Sequence, residues 1–228
     1  MQEPITFRCS SLGKIMSNPK KGISPLELSE TAKTHIDDIW LKNNYGYRDV
    51  VITNELIKGT VCEKQALMLL TEFDSEVREK NSQRFENEFI QGEHDIELSD
   101  CIEDMKCSWT LRTFFNVKEN EDYKWQGYGY MFLRNKPKFK LRYCGIDTPE
   151  YLITKEINFQ IGKLKMEIAD EYFDVNEIAK QVRINHTFST LPLESRIKTF
   201  EYDYNKDEIE RMKAKIIKAR EYYNSLTL

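Results

Sequence analysis

The chain has 228 residues, 40% of them hydrophobic and 12% aromatic, enough for one large domain or two small ones around an ordinary core. Its formal charge of −4 excludes the global basic footprint that many non-specific DNA binders carry, although a local basic strip can act inside an acidic protein. The 5 cysteines form no CxxC pair, which argues against a disulfide framework or a zinc site; the start Met-Gln-Glu-Pro lacks the pattern of a signal peptide, and no apolar run approaches the roughly 20 residues of a membrane span, so a reduced, cytoplasmic setting without a membrane partner is expected.

In chain order, Ser10 or Ser11 can cap a short helix carrying Leu12, Ile15 and Met16, because a side-chain oxygen there satisfies free amides. Arg8 beside it is compatible with a phosphate-binding helix start; a plain cap with a surface arginine is the simpler reading. Asn18 to Ser24 is a loop punctuated by Pro19 and Gly22. A helix then starts near Ser24 or Ser29, with Leu28, Ala32, Ile36 and Ile39 on one face, and ends before Gly46. Ile57 to Thr71 predicts a second helix. Glu63 on it falls in phase with Ala66 and Leu67, toward the buried side, where an acid needs a partner. Phe73 to Arg84 is charge-rich and reads as a solvated loop or exposed helix.

Arg84 to Ile90 predicts a strand, and Gly92 to Trp109 predicts two more joined by a tight turn. With Cys101 to Cys107 extended, Ile102, Asp104 and Lys106 share one face, and Asp104 and Lys106 lie about 7 Å apart. The returning strand can bring Asp95 beside them. Two adjacent carboxylates repel unless a cation intervenes, and an all-oxygen pair near a lysine suits a hard divalent ion such as Mg2+ or its substitute Mn2+. The alternative is a solvated acidic turn.

Trp109 to Asn120 is a connector, and Tyr123 to Leu133 predicts a helix, weakened by Gly127 and Gly129. Lys136 to Ile146 is the clearest strand: Phe139, Leu141 and Tyr143 alternate with Lys138, Lys140 and Arg142. The basic set is a candidate phosphate-tracking stripe, or a lysine guard against strand aggregation. Pro149 starts a helix. Ile168 to Val182 predicts an amphipathic helix and Arg183 to Thr190 a short strand. A final helix begins at Asn205, with Glu208 completing a capping-box pattern. Its stripe of Ile209, Met212, Ile216, Ala219, Tyr223 and Leu226 is expected to pack on the same domain.

Asp95 followed by Asp104-x-Lys106 resembles the metal site of the PD-(D/E)xK nuclease superfamily, and the order helix, three strands, helix, strand over residues 57–146 resembles its αβββαβ core. Lys58-Gly59 with Glu63, Asp104-Met105-Lys106-Cys107-Ser108-Trp109, Tyr123-Lys124-Trp125-Gln126 with Tyr130-Met131, Phe7-Arg8-Cys9-Ser10 and Tyr143 to Glu150 are similar to phage exonucleases of the lambda exonuclease and YqaJ type. The resemblance implies an α/β (α+β), restriction-endonuclease-like fold: a single domain over 1–228, with a core of about 57–147, a mixed central sheet flanked by helices, and helical additions at both ends. It implies a Mg2+-dependent DNA exonuclease acting 5′ to 3′ on double-stranded DNA ends, in phage recombination or repair. Asp95, Asp104, the Met105 carbonyl and Glu63 would hold the metal. Lys106 would orient the attacking water or accept its proton, and Gln126 would position that water or Lys106. Arg8 and Ser10 would grip a terminal 5′ phosphate, Trp109 would stack on a frayed base or belong to the core, and Lys138, Lys140 and Arg142 would contact DNA. A single-strand annealing protein and further copies of the chain are the partners it suggests. One departure is Tyr128, where the family often has a second glutamine, which leaves the role of Gln126 open. The alternatives are an inactive DNA-binding or assembly protein with the same fold, and an endonuclease of the same superfamily.

Overall fold

The computed structural model describes residues 4–20, 24–167 and 173–228. Two mixed sheets carry the fold. The larger has the order β4 (Ile96–Glu97), β5 (Cys101–Cys107), β6 (Lys138–Cys144), β7 (Ile197–Asp203). β4 and β5 form an antiparallel hairpin closed by Leu98 N donating to Cys101 O at 2.8 Å. β5 and β6 run parallel, and β7 returns antiparallel to β6. The smaller sheet pairs β1 (Phe7–Arg8) parallel and β2 (Phe85–Glu86) antiparallel with β3 (Ile90–Gly92).

The parallel β5–β6 pair requires a crossover, and α6 (Glu121–Arg134) supplies it after the short α5 (Leu111–Phe115). One face of the larger sheet, carrying Ile102, Phe139, Leu141 and Tyr202, is covered by α6, α1 (Leu12–Met16) and α9 (Lys206–Ser225), with α2 (Glu30–Tyr45) outside. The opposite face, carrying Ile96, Met105, Cys144 and Ile197, is covered by α4 (Glu63–Asp74). Successive strand residues therefore enter two different cores. The expected final-helix stripe is present: Ile209, Met212, Ile216 and Ala219 are buried on the first face. Asn205 caps that helix through Asp207 N and Glu208 N, while Glu208 pairs with Arg211 instead of closing a capping box.

The glycines that weaken the sequence-based helix over 123–133 are required by packing. A Cβ on Gly127 would lie 2.1 Å from the Phe139 ring, and one on Gly129 would lie 2.6 Å from Leu12. They let α6 approach β6 and α1 at backbone distance, which outweighs their low helix propensity. Gly127→Ala is expected to cost about 1–3 kcal/mol, the usual penalty for overpacking, in a denaturant melt.

Several expectations change. The helix over 57–71 is two helices, α3 (Asn54–Val61) and α4, broken at Cys62. The region 150–182 holds α7 (Glu150–Glu167) and α8 (Val175–Asn185), so a helix starting at Ile168 begins outside the described residues. The strand expected over 183–190 is instead the end of α8 and a turn. The strand that closes the sheet is β7, whose mixed alternation becomes legible once β6 supplies an edge to pair with.

Candidate active site

β5 makes the site by alternation. Asp104 and Lys106 turn toward α6, whereas Glu103 and Met105 turn toward α4. Asp104 is buried, and its Oδ1 accepts from Gln126 Nε2 at 3.1 Å. The same amide nitrogen lies 3.1 Å from the Tyr130 hydroxyl, which donates to the Glu93 carbonyl at 2.9 Å. Gln126 thus orients the carboxylate, and its helical i+4 neighbour Tyr130 takes the supporting position. Tyr128 is turned away, edge-on to Trp125 with ring centroids 5.4 Å apart.

Lys106 Nζ touches Asp104 Oδ2 and lies 5.0 Å from the Tyr123 ring centroid. Burial pushes the Asp104 carboxyl above its ordinary range; Lys106 opposes this and the charge of Asp95 adds to it. For Lys106, burial acts against the charged form, but the Asp104 carboxylate outweighs it and raises the pKa.

Asp95 precedes β4. Its Oδ2 accepts from the Met105 amide at 2.7 Å, tying it to the β5 edge beyond the end of the hairpin pairing. In an extended residue the N–H and C=O face the same edge, so the Met105 carbonyl opens on the Asp95 side. Glu63 is in helical phase with buried Ala66 and Leu70, as expected, but its side chain is only partly covered. It is the first residue of α4, a turn before buried Ala66, with 40% of its side chain exposed. It is joined to Asp95 through Lys80, whose Nζ contacts Glu63 Oε1 and lies 3.3 Å from Asp95 Oδ1.

Among the described residues, no three His, Cys, Asp or Glu side chains converge into a ready-made metal cage. The donors nevertheless fit a hard cation. Asp104 Oδ2 is a buried oxygen with no aligned hydrogen-bond donor, touched only by an ammonium. Mg2+ needs only one or two carboxylates and keeps several waters, a set that Asp95, Asp104 and a main-chain carbonyl can supply.

On the other side of Tyr130 lies a cavity of about 190 Å³ lined by Arg8, Ser10, Arg84, Gln91, Glu93 and Tyr130, among others. Tyr130 is shared between the cavity wall and the Gln126–Asp104 chain. Arg8 and Ser10 are exposed, and neither side chain has a hydrogen-bonded or ionic partner among the described residues. Arg84, whose Nη1 lies 3.4 Å from Gln91 Oε1, was not singled out by sequence. It sits in a charged segment, and only the fold brings it to the same cavity as Arg8.

Trp109 is half-buried, edge-on to His186 at 4.5 Å between ring centroids. Its carbonyl accepts from Lys58 Nζ at 3.2 Å, and the Ser108 carbonyl accepts from the same ammonium at 2.6 Å. Burial lowers the Lys58 pKa to about 8. The basic stripe on β6 does not form. Lys138, Lys140 and Arg142 register with Cys101, Glu103 and Met105, so they lie on the sheet face opposite Asp104 and Lys106. Lys138 is exposed, Lys140 lies 3.8 Å from Glu201, and Arg142 is buried against Asp74 and Glu103. β6 is a central strand, so alternation there separates two cores and does not mark a wet face.

No protein-family model and no curated protein matches the chain. Among solved structures, a phage-related exonuclease from Haemophilus somnus 129PT is similar at 26% identity and a TM-score of 0.76, over 97% of this chain and 94% of that one. The alkaline exonuclease LHK-Exo from Laribacter hongkongensis is similar in fold, with a TM-score of 0.63 at 10% identity over 96% of this chain and 88% of that one. Its complex with dAMP gives the same TM-score at 9% identity and the same coverage. The chain thus has the nuclease fold of these exonucleases over nearly all of its length.

Proposed function

We propose that this chain, built on the exonuclease fold, is a metal-dependent DNA exonuclease that hydrolyses phosphodiester bonds from duplex ends in the 5′ to 3′ direction, in phage DNA recombination or repair. One observation carries the reading: the Asp104–Lys106–Gln126 cluster shares Tyr130 with a cavity that presents two arginines and a serine alongside Glu93. A chain end whose phosphate entered that cavity would lie next to the carboxylates.

In this reading Asp95, Asp104 and the Met105 carbonyl hold a divalent ion, with Glu63 in reach of a second position. When bound, such an ion lowers the pKa of a water and offsets charge growing on the phosphate. Gln126 keeps the Asp104 carboxylate in one orientation, so the site is preorganised before substrate arrives. Lys106 keeps its ammonium at the Asp104 edge, where it attracts a phosphate oxygen and orients the attacking water or accepts its proton. Arg8, Ser10 and Arg84 bind the terminal phosphate and so favour ends over internal bonds.

Digestion of linear and covalently closed duplex with Mg2+ tests the reading. Loss of linear DNA from 5′ ends, with circles spared, is the expected result. Cutting of circles would select an endonuclease, and no hydrolysis with Mg2+ or Mn2+ would leave a DNA-binding protein. A hydrogen bond to a charged group contributes about 1.5–3 kcal/mol. Arg8→Ala is therefore expected to lower kcat/KM on 5′-phosphorylated ends roughly 10- to 150-fold, with little change on 5′-hydroxyl ends.

A further inference from the structure

Lys80 lies in the charged segment that sequence reading assigns to solvent, yet its position is built. Two residues earlier, Arg78 is locked by Glu103, Asp74 and the Leu70 and Glu76 carbonyls. Lys80 itself forms an isolated antiparallel bridge with Ile96. The next residue, Asn81, donates from its backbone to the Asp95 carbonyl at 2.7 Å and from its side chain to the His94 carbonyl at 3.1 Å. The backbone is thus held on both sides, and the ammonium is delivered between Glu63 and Asp95.

An ammonium touching two carboxylates stands where a divalent cation would stand. Glu63 Oε1 and Asp95 Oδ1 are oxygens that Lys80 already occupies, whereas Asp95 Oδ2 is engaged with the Met105 amide and Asp104 is on the Lys106 side. We propose that Lys80 is a tethered counter-ion that competes with divalent metal for Glu63 and Asp95. In the DNA-free protein it holds Glu63 in reserve, and its displacement opens the Glu63-dependent cation position. Lys80 is in this sense a positioning residue. The inference rests on the metal-dependent reading above.

The test is Mn2+ binding to the DNA-free protein, followed by calorimetry and by the electron paramagnetic resonance signal of free Mn2+. Coupling between competing ligands commonly changes affinity by roughly 5- to 150-fold. Lys80→Met, which keeps most of the stem and removes the charge, is expected to bind Mn2+ tighter within that range or to take up an additional ion. Lys80→Arg should stay close to wild type. The gain in Lys80→Met should vanish when Glu63→Gln is added. Both side chains are partly exposed, at 33% and 40%, so the variants should fold. If Lys80→Met binds Mn2+ like wild type while Asp104→Asn loses binding, the Lys80 proposal fails and the metal reading survives. If none of the proteins binds Mn2+, both fail.

Discussion

Asp104→Asn is expected to remove Mg2+-dependent hydrolysis by about three orders of magnitude or more, since the proposed ion contributes several kcal/mol at the phosphate and each 1.36 kcal/mol is tenfold in rate. The substitution preserves shape and one acceptor for Gln126, so loss of activity would not reflect loss of fold. A second readout is independent of DNA. A ligand that binds only the folded protein raises Tm, so Mg2+ should shift the wild-type melt and leave Asp104→Asn unmoved. The pH dependence of the metal-free melt supplies a third. Burial raises the folded pKa of Asp104 above its unfolded value. The folded state therefore binds the extra proton between the two values, and the contribution of Asp104 to stability falls as pH rises through that window. Asp104→Asn should flatten this part of the profile. Full activity of the variant, or an unchanged Mg2+ shift, would overturn the assignment of Asp104.

The neighbouring acid is expected to fail in the opposite way. Glu103 is fully buried on the α4 side, and Arg78 Nε donates to its Oε2 at 2.6 Å. Arg142 lies 4.0 Å from the same carboxylate, and Asp74 bridges both arginines. Removing one member of a buried ion pair leaves an uncompensated charge and typically costs about 3–5 kcal/mol. For a chain of this size that corresponds to roughly 10 °C in Tm. Glu103→Ala should therefore lower Tm by about that amount, while the protein that remains folded at low temperature keeps Mg2+-dependent activity. A melt within a degree or two of wild type would show that the network carries little stability. Taken together, adjacent residues of one strand are expected to separate into one whose loss stops hydrolysis and one whose loss loosens the sheet from its helix.

Local pattern made much of the site legible. The acid-x-lysine spacing on an extended strand puts Asp104 and Lys106 on one face by geometry alone, and both meet on the α6 side with Gln126. The pairing of Gln126 with Tyr130 was also readable, because residues four apart share a helix face. The β6 stripe was misleading. Alternation of lysine and apolar residues reads as one wet face and one dry face only when the strand has a single core, and β6 has helices on both sides. Helical phase put Glu63 on the side of Ala66 and Leu70, but it could not show that α4 begins at that residue, which leaves its side chain partly exposed and within reach of Lys80.

By itself the sequence determined the local elements that build the site: the β4–β5 hairpin, the strand carrying Asp104 and Lys106, the helix carrying Gln126, and the apolar stripe of α9. These follow from periodicity and turn chemistry within a few residues. Only the tertiary structure decided that β7 closes the sheet, that Arg84 and Arg8 line one cavity, that Arg142 is buried against Asp74 and Glu103, and that Lys80 reaches Glu63 and Asp95. The reason is that a charged side chain has the same local signature in water, in an ion pair and in a binding site. Its role is set by which distant carboxylate or cavity wall the folded backbone brings to it.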